Sequence, residues 1–260
     1  MSKVGRLAER PESLSPTGTE WARTVASQMT DQRDGAKRFL LPADCGRILI
    51  VGAGGFGREV LQWARDAWPD SRERISGFLS DDPHRLDGFA TGLKILGTAR
   101  EYEPLAGDYF LLGIGVAYAR RTVAQSLRSR GAKFVTLVHP RALVAESSQI
   151  GEGSIVCPGA IVSDSATLGA CVLVNYHASF GHDSSARDFA VLSPYATLGG
   201  GATIGDDVFL GLHASVGPGK TVGARSKVSA NSCVLSNTPA DSIIYGVPGR
   251  IVPRLDVGVP

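Results

Sequence analysis

Cysteine is scarce in this chain of 260 residues, and its four copies lie far apart, at Cys45, Cys157, Cys171 and Cys233. None of them forms a CxxC pair, the spacing that zinc sites and redox motifs use. The sequence therefore favours isolated thiols over a zinc site or a disulfide framework.

Long apolar runs and concentrated charge are also missing. No stretch reaches the 18 apolar residues of a membrane-spanning helix, and the first residues lack the apolar core of a signal peptide. The net charge is only +2, without a basic run of the kind that binds nucleic acid. We therefore expect a cytoplasmic protein with no membrane or nucleic-acid partner.

The first 45 residues lack a periodic apolar face and are rich in Ser, Thr, Pro, Arg and Glu. This composition predicts a flexible extension over residues 1–45, with at most one short helix at residues 20–29. Residues 253–260 are likewise predicted to form a tail.

From residue 46 the pattern indicates strands that alternate with helices. Apolar runs predict strands at residues 48–51, 75–79 and 109–114, with a closing strand at 134–138, and helical periodicity appears at 58–68 and 118–129. The glycine-rich loop Gly52–Gly57 separates the first strand from the first helix. This alternation predicts a small parallel sheet, covered on both faces, over residues 46–137.

A six-residue period governs the second half of the chain. Every sixth residue from Val138 to Val234 is apolar, through seventeen positions without a slip in register. Ala or Ser mostly follows four residues later, and Gly often follows directly. Neither a helix nor an ordinary sheet has this period, whereas a three-sided β-helix with eighteen residues per coil does. We therefore predict a β-helix over residues 138–252, with large apolar residues inside and glycine at the corners.

The sequence resembles the bacterial hexapeptide-repeat acetyltransferases that modify nucleotide-linked amino sugars or sialic acid. The resemblance covers residues 46–252 and is carried by residues 51–60 (VGAGGFGREV), 77–83 (GFLSDDP), 138–140 (VHP) and 245–250 (YGVPGR). It implies an α/β plus all-β fold, with a Rossmann-like N-terminal domain followed by a left-handed β-helix. It also implies a homotrimer with acetyl-CoA bound between adjacent β-helices.

The segment from Asn175 to Asp183 (NYHASFGHD) holds the candidate catalytic residues. The resemblance implies that His182 is the general base and that Asn175 belongs to the same site. His182 lies two residues after Phe180, which predicts an outward-facing strand position, and a neutral imidazole suits proton transfer at pH 7. Asp183 is the candidate group that fixes the imidazole tautomer.

The resemblance also implies where the co-substrate and the acceptor bind. Acetyl-CoA contacts are expected on coils after the base, and the candidates are Gly200, Leu212, Ala230 and Arg250; no metal is expected. Gly200 lies one coil beyond His182 and is predicted to stack on it. The candidate acceptor residues are Gly52, Gly54, Gly55, Phe56, Asp81 and Asp82.

The glycine-rich loop leaves several ligands open. A loop of this pattern between a strand and a helix can hold a pyrophosphate on helix-terminal amides, which favours a nucleotide-sugar acceptor. NAD, with its ribose on Asp81 or Asp82, and a turn without a ligand are the alternatives. Phe56 stands where some relatives have a histidine that meets the acceptor, and Gly181 and Val191 also depart from common site residues. The identity of the acceptor therefore stays open.

Acetyl transfer to the amino group of a sugar or a nucleotide-linked amino sugar is the favoured function. O-acetylation of a sugar or of sialic acid is one alternative, and a non-catalytic scaffold that binds a nucleotide sugar is another. A third is a metal site like that of the γ-type carbonic anhydrases, because His177 and His182 have the spacing of two of its ligands. However, Arg141 stands where the third ligand is expected, and His213 lies two coils after His177 with Tyr195 between them.

Overall fold

The structure is a computed structural model that describes residues 39–254. The predicted helix at residues 20–29 lies outside this range, as do most of the predicted extension and most of the predicted tail. The described residues belong to one compact unit that begins at Phe39. The division into two domains at residue 137 therefore stays a prediction.

The first part of the described chain folds around a parallel sheet with the strand order β3-β2-β1-β4-β5. Its elements are β1 (Arg47–Val51), α1 (Gly55–Ala67), a 3₁₀ segment (Pro69–Arg74), β2 (Ile75–Leu79), β3 (Ile95–Gly97), β4 (Asp108–Leu112), α2 (Ala117–Arg128) and β5 (Lys133–Phe134). Ile48 and Ile50 of β1 pack on the side of α1, and Leu49 and Val51 pack on the side of α2. The predicted sheet with two covered faces is confirmed.

Two details of this sheet differ from the sequence prediction. Residues 134–138 do not form one closing strand, because only Lys133–Phe134 pairs with β4. Leu137–Val138 instead forms β6, the first strand of the β-helix, where the Leu137 N–H donates to Ser154 O at 2.9 Å. β3 was not predicted, because its three residues, Ile95–Gly97, are too few to form an apolar run. The strand is also partly exposed in the structure.

The second part of the chain is a parallel β-helix with three faces. Face I contains β6, β9 (Ile155–Val156), β12 (Leu173–Val174), β15 (Val191–Leu192), β18 (Phe209–Leu210), β21 (Lys227–Val228), β23 (Ser242–Tyr245) and β24 (Arg250–Pro253). Face II contains β7 (Leu143–Val144), β10 (Ile161–Val162), β13 (Ser179–Phe180), β16 (Thr197–Leu198), β19 (Ser215–Val216) and β22 (Cys233–Val234). Face III contains β8 (Gln149–Ile150), β11 (Thr167–Leu168), β14 (Ser185–Ala186), β17 (Thr203–Ile204) and β20 (Thr221–Val222).

The six-residue apolar ladder forms the interior of this β-helix. From Val156 to Val234 each of its members is at most 3% exposed, and small residues such as Ala178 and Ala196 fill the space between them. Each strand pairs with the strand one coil away, as Phe180 does with Leu198. Backbone pairing and apolar burial therefore repeat together along the axis.

The repeated glycines have a different role from the one predicted. Gly181 and Gly211 do not have left-handed backbone angles; a β-carbon on either would lie 2.7 Å from a backbone nitrogen of the next coil. They permit close stacking of coils, not the turn itself. The corners are turned two residues later by left-handed residues such as Asp183 and His213, with φ of 58° and 55°. Asp, Asn and His adopt this region more readily than most residues do.

Face I is covered by the N-terminal sheet. The outward side chains of Leu137, Ile155, Leu173 and Val191 are at most 2% exposed and share one apolar cluster with Ile50. His139 joins the two parts at their edge, because its Nδ1 accepts the Arg141 N–H at 3.0 Å and its Nε2 lies 3.3 Å from Asp66 Oδ2 on α1. The apolar burial fixes the N-terminal sheet against one side of the β-helix.

A hairpin closes the C-terminal end of face I. β23 continues the parallel stack on β21, and β24 then pairs antiparallel with β23, from Tyr245↔Arg250 to Ser242↔Pro253. The outermost strand of face I therefore runs against the direction of all the others.

Candidate active site

His182 and Asp183 occupy the turn between faces II and III. The prediction of a strand position for His182 is wrong, because β13 ends at Phe180 and the next two residues after Gly181 form the corner. Asp183 Oδ2 lies 2.8 Å from Nδ1 of His182, and the two side chains are 65% and 72% exposed. A carboxylate accepts the proton of Nδ1, which leaves Nε2 unprotonated in the neutral imidazole. The pair therefore presents a base to solvent.

Gly200 lies directly above His182 on the next coil. A β-carbon at Gly200 would be 2.5 Å from Nε2 and 2.7 Å from Cε1 of His182, so the imidazole edge rests against this glycine. The neighbouring coils carry Asp164 and Pro218 at the same corner position. The turn itself therefore accepts a side chain there, and only the imidazole below requires glycine.

The other candidates on the β-helix lie at a different corner. Asn175, Leu212 and Ala230 each follow a face I strand and precede a face II strand. Leu212 is 50% exposed, and its carbonyl accepts the Asn231 N–H at 2.8 Å, as the coil stacking requires. Within one chain these residues lie apart from His182, although the resemblance implies that Asn175 and the acetyl-CoA contacts belong to the same active site. Arg250 is exposed in the C-terminal hairpin.

Three aromatic rings stack along this same corner. Tyr195 lies between His177 and His213, with ring centroids 5.0 Å and 4.8 Å apart. Both histidines of this stack therefore lie at a different corner from His182. Among residues 39–254, no three His, Cys, Asp or Glu side chains come close enough to share a metal ion.

The acceptor candidates meet at the carboxyl edge of the N-terminal sheet. Gly52 follows β1 with φ of +100°, and its N–H donates to Leu79 O at 2.8 Å, which joins it to the end of β2. A β-carbon at Gly57 would lie 1.9 Å from Gly52 O, so only glycine lets α1 start this close to the strand. Gly54 and Gly55 stand at the amino end of α1, where backbone N–H groups lack partners within the helix.

The two aspartates after β2 are exposed beside this loop. Asp82 Oδ1 accepts the His84 N–H at 3.0 Å and so stabilises its own turn. Asp81 and Asp82 lie at the strand end adjacent to Gly52, which is the position that ribose or diphosphate recognition requires in an open parallel sheet. Phe56 instead turns along α1 and packs edge-on against Trp63, at a centroid distance of 5.8 Å.

The structure adds residues that the sequence analysis did not single out. The guanidinium of Arg85 lies beside Gly54: a β-carbon on Gly54 would be 3.8 Å from Nη2 of Arg85. Val116 and Tyr118, 63% and 58% exposed, follow β4, which neighbours β1 on its other side. The sequence signal for Val116 and Tyr118 was the pair of nearby glycines, Gly113 and Gly115, after a buried strand.

Cysteine chemistry has no part in this arrangement. Cys45, Cys157 and Cys171 are buried free thiols, and Cys233 is partly exposed and also free. The prediction of isolated thiols is confirmed. Burial raises the pKa of the Cys157 thiol well above its usual value, which makes a thiolate nucleophile unfavourable there. Within the described residues, no helix is long and apolar enough to cross a bilayer.

The sequence is similar to a known domain family and to two sugar N-acetyltransferases. Residues 47–127 match the family described as the PglD N-terminal domain. The chain is 24% identical over 146 residues to GDP-perosamine N-acetyltransferase of Escherichia coli O157:H7, covering 56% of this chain and 66% of that enzyme. It is 34% identical over 113 residues to UDP-N-acetylbacillosamine N-acetyltransferase of Bacillus subtilis, covering 42% and 50%. The matched segments thus span less than two thirds of either enzyme's length.

Solved structures match over nearly their whole length. A mutant perosamine N-acetyltransferase from Caulobacter crescentus, in complex with CoA and GDP-perosamine, has a TM-score of 0.72 at 27% identity, covering 80% of this chain and 97% of its own. The acetyltransferase domain of PglB from Neisseria gonorrhoeae, in complex with acetyl coenzyme A, has the same TM-score and identity, with 80% and 99% covered. In sequence and in fold the chain thus resembles hexapeptide-repeat sugar N-acetyltransferases.

The similarity to these solved structures confirms the fold class that the sequence predicts. The chain has an N-terminal parallel sheet followed by a left-handed parallel β-helix of hexapeptide repeats. The roles of the individual site residues remain predictions, which the geometry above makes specific enough to test.

Proposed function

We propose that this protein transfers the acetyl group of acetyl-CoA to the amino group of a nucleotide-linked amino sugar. The observation that carries the proposal is the His182–Asp183 pair, an oriented and solvent-open base at a corner of the β-helix. Relatives of this fold are named for N-acetylation of such sugars, and two of the similar structures hold CoA or acetyl-CoA.

The chemistry follows from the free Nε2 of His182. The acceptor amine attacks the thioester carbonyl while Nε2 takes its proton, and Asp183 stabilises the imidazolium that forms. The tetrahedral oxyanion then collapses, the C–S bond breaks, and the imidazolium returns the proton to the leaving thiolate, which gives an amide and CoA. Within the described residues the Gly200 N–H donates to no acceptor, and it is our candidate donor to the oxyanion. No metal is required for this sequence of steps.

The acceptor's nucleotide is proposed to bind at the carboxyl edge of the N-terminal sheet. The diphosphate would approach Gly52, Gly54 and Gly55 at the amino end of α1, where backbone N–H groups favour anions. Asp81 and Asp82 would accept hydrogen bonds from hydroxyl groups of the ribose. Phe56 would contribute through its packing against α1 and not through hydrogen bonding.

A homotrimer is proposed because one chain does not complete the site. Asn175, Leu212 and Ala230 lie at the corner between faces I and II, whereas His182 and Gly200 lie at the corner between faces II and III. A cleft that contains both sets requires the first corner of one protomer to meet the second corner of its neighbour. Acetyl-CoA would then lie between them, with Arg250 near its charged end. The four free thiols and the use of acetyl-CoA favour the cytoplasm.

The test is a thiol-release assay with acetyl-CoA and a panel of nucleotide-linked amino sugars. His182→Ala should lower kcat by at least about 100-fold for the accepted sugar, since general-base catalysis contributes about 10²–10⁴. Arg187→Ala, which removes an exposed side chain at the corner between faces III and I, is the control and should keep its activity. Sedimentation of both variants should match that of the wild type. Near-normal turnover by His182→Ala would refute the proposed base.

A further inference from the structure

Arg120 is completely buried, although it is the most polar kind of side chain. It lies on the inner face of α2 with Ala117, Ala124 and Leu127, and its exposure is 0%. Within residues 39–254 no carboxylate forms a salt bridge with it, and its Nε has no hydrogen-bond partner. A buried cation without an anion costs stability unless other polar groups surround it.

Three backbone carbonyls surround this guanidinium. Nη1 donates to Leu112 O and to Ile114 O, both at 2.8 Å, and Nη2 donates to Cys171 O at 3.0 Å. The first two acceptors lie at the end of β4 in the N-terminal sheet, and the third lies on a corner of the β-helix. Arg120 therefore connects the two parts of the molecule through the fixed, planar geometry of one group.

Leu112, the last residue of β4, and Ile114 flank Gly113, which supports the glycine-rich loop. A β-carbon at Gly113 would lie 2.8 Å from Gly57 Cα and 3.0 Å from Gly52 O, so the Gly113 backbone packs directly on that loop. A shift of residues 112–114 would displace both ends of the loop, because no space separates these backbones.

Arg120 also stays charged in the folded protein. Burial lowers its pKa to about 10, which is still far above neutral pH. Loss of the guanidinium would leave three buried carbonyl oxygens without this donor, which costs stability. Binding must therefore be measured separately from folding.

We propose that Arg120 is a positioning residue for the acceptor, which holds the Gly52–Gly57 loop at a fixed place relative to the β-helix coil that carries His182. The inference rests on the proposed nucleotide site in that loop. It assigns Arg120 to acceptor binding and not to acetyl-CoA binding, because its contacts on the β-helix lie at the corner between faces III and I, away from Gly200, Leu212 and Ala230.

The test measures binding by the full-length protein with isothermal titration calorimetry. GDP, UDP and dTDP are titrated separately, and CoA is titrated as the second probe. Arg120→Met should weaken binding of the nucleoside diphosphate that the wild type binds, by on the order of 10-fold, because a loop that is no longer held in place must be ordered when the ligand binds. Arg120→Lys keeps the charge and reaches fewer carbonyls, so it should give an intermediate loss. CoA affinity should change less than about twofold in both variants.

Arg121→Gln is the matched control on the same helix. Arg121 also connects α2 to the β-helix, through Asp207 at 2.6 Å and the ring of Phe189 at 4.4 Å, but it donates to neither Leu112 O nor Ile114 O. Its loss should lower the melting temperature without changing nucleoside diphosphate affinity. This separates positioning of the loop from general docking of the helix.

The outcomes separate the two proposals. Failure of the wild type to bind all three diphosphates would refute the nucleotide site, and the role of Arg120 with it. Wild-type binding that Arg120→Met and Arg120→Lys both retain would refute the positioning role alone. Equal weakening of diphosphate and CoA would also refute it, because that indicates general damage. If Arg120→Met does not fold, the affinities of Arg120→Lys decide the question.

Discussion

Gly200→Ala should lower the proposed acetyl-transfer activity by about 100-fold without destabilising the protein. The added β-carbon would lie 2.5 Å from Nε2 of His182, and ordinary contact between these atoms needs about 3.5 Å. The imidazole must therefore move by about 1 Å. It can do so easily, because the ring is 72% exposed. Its 2.8 Å contact with Asp183 would then lengthen or break.

The size of the effect follows from this displacement. A misplacement of about 1 Å in a catalytic group costs about 100-fold in rate, or about 2.7 kcal/mol in activation free energy. Stability should move slightly the other way. Gly200 does not have a left-handed φ, so alanine there reduces the freedom of the unfolded chain and contributes about 0.4–1 kcal/mol. Activity and melting temperature should thus separate in this variant.

The assay is thiol release under saturating acetyl-CoA, together with thermal unfolding of the same samples. A double-mutant cycle supplies the control, because Gly200→Ala should have little further effect once His182→Ala has removed the imidazole. Full activity in Gly200→Ala would refute the role of the imidazole position. An equal loss of activity in both backgrounds would show that alanine acts through something other than the histidine.

Three further predictions concern single side chains. Asp183→Asn should lower kcat by at least about 10-fold with little change in KM for acetyl-CoA, because an amide does not stabilise the imidazolium; steady-state kinetics test this. Burial alone would raise the pKa of Asp108, but hydrogen bonds from Arg47 and its other partners outweigh burial and hold that pKa below its usual value. The carboxylate therefore stabilises the fold above the unfolded-state pKa of about 4, and this contribution is lost as the pH falls through the lower folded-state value; Asp108→Asn should cost about 2–3 kcal/mol at pH 7 and flatten the acid limb of the stability curve in denaturant titrations. Leu173→Ala should cost about 2–4 kcal/mol at the interface with the N-terminal sheet, whereas exposed Thr167→Ala on face III should change the unfolding free energy by less than about 0.5 kcal/mol.

The β-helix was predictable because its rule is local and repeated. Each apolar residue from Val138 onward makes the same contact with the residue eighteen positions away, so one period specifies the whole interior. The glycine-rich loop was predictable for a similar reason, since its close backbone contacts admit only glycine at Gly57.

The residues that form the site were harder to predict. The six-residue period is the same on all three faces, so it does not show at which corner a residue lies. His182 and Asn175 are seven residues apart in sequence, yet a face II strand lies between them and places them at different corners. The sequence pattern therefore grouped residues that a single chain holds apart. Arg120 was not singled out at all, since an arginine on a helix is usually solvated.

The sequence carries a second periodic signal, which marks the side of the β-helix that the N-terminal part of the chain covers. The residue before each interior position of face I is apolar in five successive coils: Leu137, Ile155, Leu173, Val191 and Phe209. The same position on face III is Gln, Thr or Ser throughout. An outward apolar row with an eighteen-residue period indicates a covered side, and the N-terminal sheet covers it. The eighteen-residue period of these outward apolar residues therefore predicts the interface, which the six-residue period of the interior does not show.

The C-terminal hairpin gives the β-helix a finite length. Stacked coils have no intrinsic end, since the backbone of the last strand offers the same unpaired groups to a new coil as every strand before it. Reversal of the chain after Tyr245 places an antiparallel strand with Pro253 on that edge of face I, which further parallel stacking does not fit. A chain cut before Ser242 would expose the edge of β21, and molecules joined end to end into filaments are the expected product.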